Sequence, residues 1–304
     1  MTDAAMPAGP VTRGSVARVG VATAVTALCG YLVLYLAARD LDPSGFSVFG
    51  VFWGAFGLVS GTTLGLLQET TREVRSASRV ESPGPRTHPL RVAAVIGVAT
   101  SIVIAASSPL WAPHVFASAR WLSVALLSVG LTGFCIHTTL LGMLAGAGRW
   151  TPYGALMVTD ATMRVAVAAA TFALAWGLAG YLWATVCGAV AWLFMLAASP
   201  STRAAARLVA DRDARAFLGG VAHAVAAAGA SAILVMGFPV LLKATSGDLG
   251  ATGGVVILAV TLTRAPLLVP LTAMQGNLIA HFVDRRDDRL RALAGPAAVV
   301  LGVG

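Results

Sequence analysis

The sequence contains few charged residues, since only 11% of its 304 residues are Asp, Glu, Lys or Arg. An ordinary soluble domain carries about 25%, so this composition excludes a soluble globular protein. Lysine is almost absent, and Lys243 is its single representative. Between the short polar stretches lie apolar runs of about 20 residues, the length that a helix needs to cross a hydrocarbon core. We therefore predict an all-α, polytopic membrane protein.

Residues with the spacing of metal ligands are also lacking. Cys29, Cys135 and Cys187 each lie inside an apolar run, which favours buried thiols over a disulfide or a metal site. The formal net charge of +8 comes from arginines scattered between the apolar runs, without the interleaved aromatics of a nucleic-acid surface. We expect no cofactor, no metal, no nucleic-acid partner and no catalytic residues.

The apolar runs predict eight transmembrane helices and the start of a ninth. The last ten residues, Gly295 to Gly304, would reach only about 15 Å as a helix, half of a hydrocarbon core of about 30 Å, so we expect the chain to be cut short. Residues 1–216 would form a six-helix lobe and residues 217–304 part of a second lobe. The eight predicted spans are Val19–Ala38, Phe46–Leu67, Val92–Trp111, Trp121–Leu144, Tyr153–Leu174, Leu178–Leu196, Phe217–Leu242 and Gly253–Phe282.

The arginines predict how the chain is oriented, because basic residues are retained on the cytoplasmic side during insertion. A cytoplasmic N-terminus places nearly all of them in inner loops, predicted at Thr70–Arg91, Ser199–Arg215 and Asp284–Arg291. Only Arg39, Arg120 and Lys243 would then fall outside. We expect a multi-pass protein of the bacterial plasma membrane, with basic loops that contact lipid headgroups.

Two sequence patterns concern the packing of the spans. The turn at Asp42 has a counterpart at Asp248, and Gln68 has a counterpart at Gln275 at nearly the same distance along the chain. This constant separation indicates a repeat of six spans in the same orientation.

Five glycines lie on one face of the second span, as expected for close helix packing, although a substrate-facing surface is the alternative. Aromatic residues around this face are expected to contact lipid or neighbouring helices. The glycines are Gly50, Gly54, Gly57, Gly61 and Gly65, and the aromatics are Phe46, Phe49, Phe52, Trp53 and Phe56.

Charged residues inside the spans are the candidate substrate-binding residues. Asp160 and Arg164 are one turn apart and can form an ion pair, and ionised residues in a bilayer normally face the protein interior or a water-filled cavity. The pair is either a self-satisfied structural element or an anion site, in which Asp160 tunes Arg164 or carries a coupling ion. Arg264 has no carboxylate within one turn, and Thr261 and Gln275 extend its face. Two arginines near mid-bilayer predict a cavity that accepts a negative group.

Other polar residues are candidates for coupling or gating. His137, in the fourth span, is either a hydrogen-bonded buried residue or a proton carrier. Gln68, Glu69 and Arg72 lie at the inner end of the second span. They form either a solvated helix end or a gate at the cytoplasmic mouth.

The segment Leu41-Asp42-Pro43-Ser44-Gly45-Phe46-Ser47-Val48-Phe49-Gly50 resembles the turn into helix 2 of bacterial polysaccharide flippases. These belong to the multidrug, oligosaccharidyl-lipid and polysaccharide exporter superfamily. The run Leu262-Thr263-Arg264-Ala265-Pro266-Leu267 is similar to helix 8 of actinobacterial-type members. The resemblance spreads over spans 1 to 8.

The resemblance implies two six-helix lobes that rock about a central cavity, so that a polyprenyl-pyrophosphate glycan crosses the membrane while its prenyl tail stays in lipid. The cavity arginines would hold the pyrophosphate, and no bond is made or broken. Partners would be membrane lipid and a polysaccharide polymerase or glycosyltransferases of the same pathway.

Two other functions stay open at this point. A drug or metabolite exporter built of inverted repeats would suit the chain length, although its halves would have opposite topology. A polyprenyl-phosphate-dependent glycosyltransferase would use Asp40 and Asp42 in the first external loop. That loop is too short to shape an acceptor site, and Asp42 before Pro43 is better explained as a turn and helix cap.

Overall fold

The computed structural model describes residues 13–78, 86–116, 118–246, 252–261 and 263, and no strand occurs among them. Seven helical stretches in this part of the chain are long and apolar enough to cross a membrane, and a shorter apolar helix, α12, follows at Thr252–Thr261. The all-α prediction is therefore confirmed, and the protein is a multi-pass membrane protein. The ninth predicted span and most of the eighth lie outside the described residues. The helices are α1 (Arg13–Asp40), α2 (Pro43–Thr62), α3 (Leu64–Ala77), α4 (Pro89–Val115), α5 (Arg120–Gly146), α6 (Trp150–Leu174), α7 (Gly177–Val186), α8 (Ala191–Ala198), α9 (Pro200–Ala206), α10 (Ala214–Met236) and α11 (Phe238–Thr245).

The six predicted spans of the first lobe pack into one bundle. Helix α1 runs along α6, α4 runs along α5, and α3 also contacts α5. Helix α10 lies against α2 and α3, so the seventh span joins the bundle along the second. The division into lobes at residues 216 and 217 stays a prediction.

Asp42 begins the second span as an N-cap. Its carboxylate accepts hydrogen bonds from the backbone N–H groups of Ser44 and Gly45, each at 3.3 Å, and Pro43 stands in the first turn. The Ser44 hydroxyl also donates to this carboxylate and thereby lowers the pKa of Asp42. These contacts confirm that Asp42 caps the helix.

The helix that carries the second span continues beyond the predicted end of that span at Leu67, as far as Ala77. Its charged residues interrupt the apolar run, but one face stays buried against α5. A Cβ at Gly142 would lie 2.9 Å from Thr70 Cβ, and one at Gly146 would lie 2.8 Å from Val74 Cβ. The loop predicted from Thr70 therefore begins after Ala77.

Besides the second span, in which a turn at Thr63 separates α2 from α3, two predicted spans are interrupted. In the sixth, a 3₁₀ turn at Cys187–Val190 separates α7 from α8. In the seventh, α10 ends at Met236 and α11 begins at Phe238, because Pro239 lacks the backbone donor that a continuous helix would need there. Neither break can be predicted from apolar composition alone.

Candidate functional site

An ion pair lies inside the bundle on α6. Asp160 Oδ1 accepts a hydrogen bond from Arg164 Nε at 3.0 Å, and the two side chains are only 12% and 14% exposed. Their spacing of one helical turn means that α6 by itself brings the two charges together. Burial makes each charge depend on its partner, because an unpaired ion in the interior costs several kcal/mol.

Three further elements surround the guanidinium of Arg164. The rings of Phe56 on α2 and Phe134 on α5 each have their centroid 5.5 Å from its central carbon. The Thr185 carbonyl, near the C-terminal end of α7, accepts a hydrogen bond from Arg164 Nη1. Such a carbonyl is available because the last turn of a helix leaves its acceptors unpaired. Helices α2, α5, α6 and α7 thus converge on one arginine.

Gly188 makes room for this ion pair. A Cβ added at Gly188 would lie 1.7 Å from Asp160 Oδ1 and 2.7 Å from Arg164 Nε, so any larger residue would force the ion pair to move. Gly188 belongs to the 3₁₀ turn at Cys187–Val190, and this turn carries the chain past the Asp160 carboxylate. The break in the sixth span is therefore part of the site.

His137 borders the site through its contact with Phe134. The two rings are stacked, with centroids 5.2 Å apart and an angle of 18° between their planes. His137 is buried, and its Nδ1 has no hydrogen-bond partner in the part of the chain that the structure describes. A chain of stacked groups thus runs from His137 through Phe134 to Arg164.

A second charged cluster lies at the arginine-rich end of the bundle, which we define as the end that carries Arg72, Arg75, Arg149, Arg203 and Arg212. Glu69 and Glu73 on α3 are both buried, and Arg72 contacts both carboxylates. The Nε of Arg212 lies 3.5 Å from Glu73 Oε1. Because both carboxylates are buried, the hypothesis of a solvated helix end is wrong for this face of α3.

Residues 207–213 form a linker between α9 and α10, and this linker is attached to the first six spans. The Ser76 hydroxyl on α3 donates to Asp211 Oδ2 at 3.2 Å. The Ala210 N–H donates to the Thr87 carbonyl at 2.8 Å. At the start of α10, a Cβ at Gly220 would lie 1.8 Å from Glu69 Oε1, so this glycine lets α10 approach the buried carboxylate.

The glycine face of the second span packs against the seventh and eighth spans. A Cβ at Gly61 would lie 2.7 Å from Ala232 Cβ, and one at Gly65 would lie 2.4 Å from the backbone nitrogen of Val225. The other three glycines meet Ile257, Pro239 and Met236 in the same way. The packing interpretation of this face is confirmed. Three of the surrounding aromatics contact protein instead of lipid, through the ring pairs Phe49–Tyr181, Phe52–Phe116 and Phe56–Phe134.

The sequence is similar to proteins of two mycobacteria. It is 71% identical to "Uncharacterized protein Mb3654" of Mycobacterium bovis over 298 residues, which are 97% of this chain and 69% of that protein. It is 65% identical to "Uncharacterized protein Rv1510" of Mycobacterium tuberculosis over 308 residues, covering 100% of this chain and 71% of that protein. The chain belongs to the family of these mycobacterial proteins. No family model matches it.

The fold of this family member is similar to solved transporter structures. "Crystal structure of MATE in complex with MaD3S" superposes with a TM-score of 0.66 at 16% identity, covering 92% of this chain and 67% of that one. "Outward-facing conformation of a multidrug resistance MATE family transporter of the MOP superfamily" gives 0.66 at 16% identity, covering 94% and 70%. The chain thus has the fold of the superfamily that its sequence resembles.

The predicted site residues of this family member lie in separate places. Arg164, Asp160 and His137 come together inside the bundle, whereas Gln68, Glu69 and Arg72 lie on α3 at the arginine-rich end. The Thr261 hydroxyl donates to the Ile257 carbonyl of its own helix at 2.7 Å. Arg264 and Gln275 lie outside the described residues. The substrate-binding and gating roles of these residues stay predictions.

Sequence reasoning missed the residues that reach the sites from other helices. Phe134, Thr185 and Gly188 meet Arg164 or Asp160 only in the folded bundle, and no local pattern identifies them. Glu73 carried a signal, because it follows Glu69 by one helical turn and so extends its face. Arg212 was predicted only as a basic loop residue.

Proposed function

We propose that this protein is a membrane transporter that moves its substrate by alternating access, with Arg164 as a substrate-binding residue. The observation that carries this proposal is the environment of Arg164. Two of its five N–H donors are used by Asp160 and Thr185, and no other hydrogen-bond partner is found for it among the described residues. A partly satisfied arginine inside the bundle can bind an oxyanion with the remaining donors.

For the substrate, an exporter of drugs or metabolites fits the comparisons best, because one similar structure is named as a multidrug resistance transporter. Its substrates would carry a carboxylate, sulfate or phosphate. Transport of this kind makes and breaks no bond, so the protein is proposed not to be an enzyme.

A polyprenyl-pyrophosphate glycan is the second candidate substrate. The rigid donor fork of arginine suits phosphate oxygens, and in this proposal Arg164 and Arg264 together neutralise the pyrophosphate. Asp160 would hold Arg164 in place when the site is empty. Pocket polarity is a variable feature of this fold, since one similar structure is described as "Reverse polarity of binding pocket suggests different function of a MOP superfamily transporter from Pyrococcus furiosus". The pathway enzymes named above would then be partners.

We propose that the arginine-rich end faces the cytoplasm of a bacterial plasma membrane. Cysteine introduced at the exposed Ser201, in the first turn of α9, should resist an impermeant thiol reagent in intact cells, whereas cysteine at the exposed Ser118, at the opposite end, should react. Labelling of both after permeabilisation controls for access. The reverse pattern in intact cells would contradict this orientation.

Transport tests the proposal directly. Cells that lack their own broad-specificity exporters, and that express the protein, should expel an anionic fluorescent solute faster than cells with an empty vector. The double variant Asp160→Asn/Arg164→Gln keeps neutral hydrogen-bonding groups but removes the cation. We expect it to lower the efflux rate about tenfold or more, because hydrogen bonds to charged groups contribute about 1.5–3 kcal/mol.

Arg203→Gln is the matched control, because Arg203 is exposed and contacts only backbone carbonyls at 2.8 Å. A second assay measures how much undecaprenyl-pyrophosphate-linked glycan becomes accessible to an enzyme outside the cell. Efflux of the solute without any change in glycan favours the exporter, and the opposite result favours the flippase. If the protein moves neither substrate, or if the double variant works at the normal rate, the proposal is wrong.

A further inference from the structure

Glu73 is the more enclosed of the two carboxylates in the cluster at the arginine-rich end. Its side chain is 2% exposed, yet it contacts arginines from two different segments. Oε1 lies 3.0 Å from Arg72 Nη2 on the same helix and 3.5 Å from Arg212 Nε on the linker. Oε2 is buried and has no hydrogen-bond partner among the described residues. Half of this carboxylate is therefore unsatisfied.

Opposing groups act on the charge of Glu73. Arg72 and Arg212 stabilise its ionised form, whereas burial and the nearby carboxylates of Glu69 and Asp211 oppose it. From α5, the Gly146 carbonyl accepts a hydrogen bond from Arg75. The start of α10 presents Gly220 to the cluster. The titratable groups of α10, Arg215 and His223, are exposed, and His223 bonds the Gly219 carbonyl of its own helix.

We propose that Glu73 is a proton-binding site whose occupancy determines whether the linker stays attached to α3. In the charged state Glu73 holds Arg212, and the linker is fixed beside the bundle. Uptake of one proton converts the carboxylate to a neutral acid and cancels both ion pairs. Arg212, whose side chain is 49% exposed, can then return to water. Two linker contacts then remain, the Ser76–Asp211 and Ala210–Thr87 hydrogen bonds, and two neutral-donor bonds are too weak by themselves to keep the linker in place.

This inference rests on the proposed function in one respect, because the linker connects the six spans of the first lobe to α10, and these parts must separate if access alternates. The attached state closes the arginine-rich end, since α10 packs on α3 there. Protonation therefore favours opening at that end. The stabilising contact exists above the midpoint of the Glu73 titration and is lost as the pH falls through it.

Spin labels at the exposed Ser78 and Ala214 report on this contact without any transport assay. In the purified protein in lipid nanodiscs, the mean label distance should lengthen when the pH is lowered from about 8 to about 5, a range that brackets a perturbed carboxyl group. Glu73→Gln, which is nearly isosteric, should give the long distance at both pH values. Arg212→Gln should move the midpoint upward by about one pH unit, because it removes a cation that favours the charged form.

Asp42→Asn is the matched control, since it changes a carboxylate at the opposite end and retains a good N-cap. It should respond to pH like the unaltered protein. A distance that does not change with pH, or a pH response that persists in Glu73→Gln, overturns the proposal. If Glu73→Gln fails to fold, an unshifted midpoint in Arg212→Gln overturns it equally. Loss of transport with an intact pH response would refute the proposed function but leave the proposal for Glu73 standing.

Discussion

Replacing Arg164 with alanine is expected to destabilise the protein by about 3–5 kcal/mol, the usual cost of removing one partner from a buried ion pair. The Asp160 carboxylate would stay beneath Gly188 without its cation. The cation–π contacts to Phe56 and Phe134 would also be lost. Unfolding in detergent, followed by tryptophan fluorescence, measures the effect.

Two variants make this first result interpretable. Arg18→Ala removes an exposed arginine that donates to the Thr151 hydroxyl at 2.7 Å, and we expect it to cost less than about 1 kcal/mol. Asp160→Asn/Arg164→Gln should recover much of the lost stability, because no charge is left unpaired. An Arg164→Ala protein as stable as the unaltered one would mean that the pair is solvated in the membrane.

Replacing Gly65 with alanine is expected to force α10 away from α3. The new Cβ would lie 2.4 Å from the backbone nitrogen of Val225 and 2.5 Å from its Cα. Because backbone atoms cannot rotate aside, the helices must separate, and overpacking of this kind costs about 1–3 kcal/mol. Spin labels at Ser78 and Ala214 should report a longer mean distance, and the unfolding transition should move to lower temperature.

Gly20→Ala is the control for Gly65→Ala. Gly20 also lies inside a helix, but nothing is within 4 Å of the position its Cβ would take. Alanine there should be neutral or stabilising by up to about 1 kcal/mol, because it favours the helix over glycine. If the two variants behave alike, helix propensity and not the close approach of α3 and α10 decides the outcome.

The membrane spans were predictable from the sequence because the bilayer imposes a length on every apolar run. The prediction failed where a helix is stabilised by one face instead of by overall hydrophobicity. Leu64–Ala77 carries five charged or amide side chains, which lower its mean hydropathy although Glu69, Glu73 and Arg75 are buried, so a hydropathy window ends the helix about ten residues too early. The hydropathy window also missed the break at Gly237, because averaging over many residues hides the effect of a single one.

The candidate site was predictable only where it is local. Asp160 and Arg164 share a helix, so their spacing alone predicts the pair. Phe134 and Thr185 come from other helices, and their approach to Arg164 depends on the packing of the whole bundle. The same holds for Glu73 and Arg212, which are far apart in sequence and meet only because the linker returns to α3. Contacts between residues so far apart along the chain cannot be predicted from a single sequence.

The length of the second span gives it a mechanical role. The helical stretch Pro43–Ala77 has 35 residues and would measure about 52 Å, so even at a tilt of about 40° its projection of about 40 Å exceeds a hydrocarbon core of about 30 Å. Its far end therefore projects beyond the hydrocarbon as a lever arm. A rotation of about 10° about Gly54 would displace Glu73 by about 5 Å, more than the distance that now separates Glu73 from Arg212. Small rearrangements deep in the bundle would thus be amplified into the making or breaking of a contact at the membrane surface.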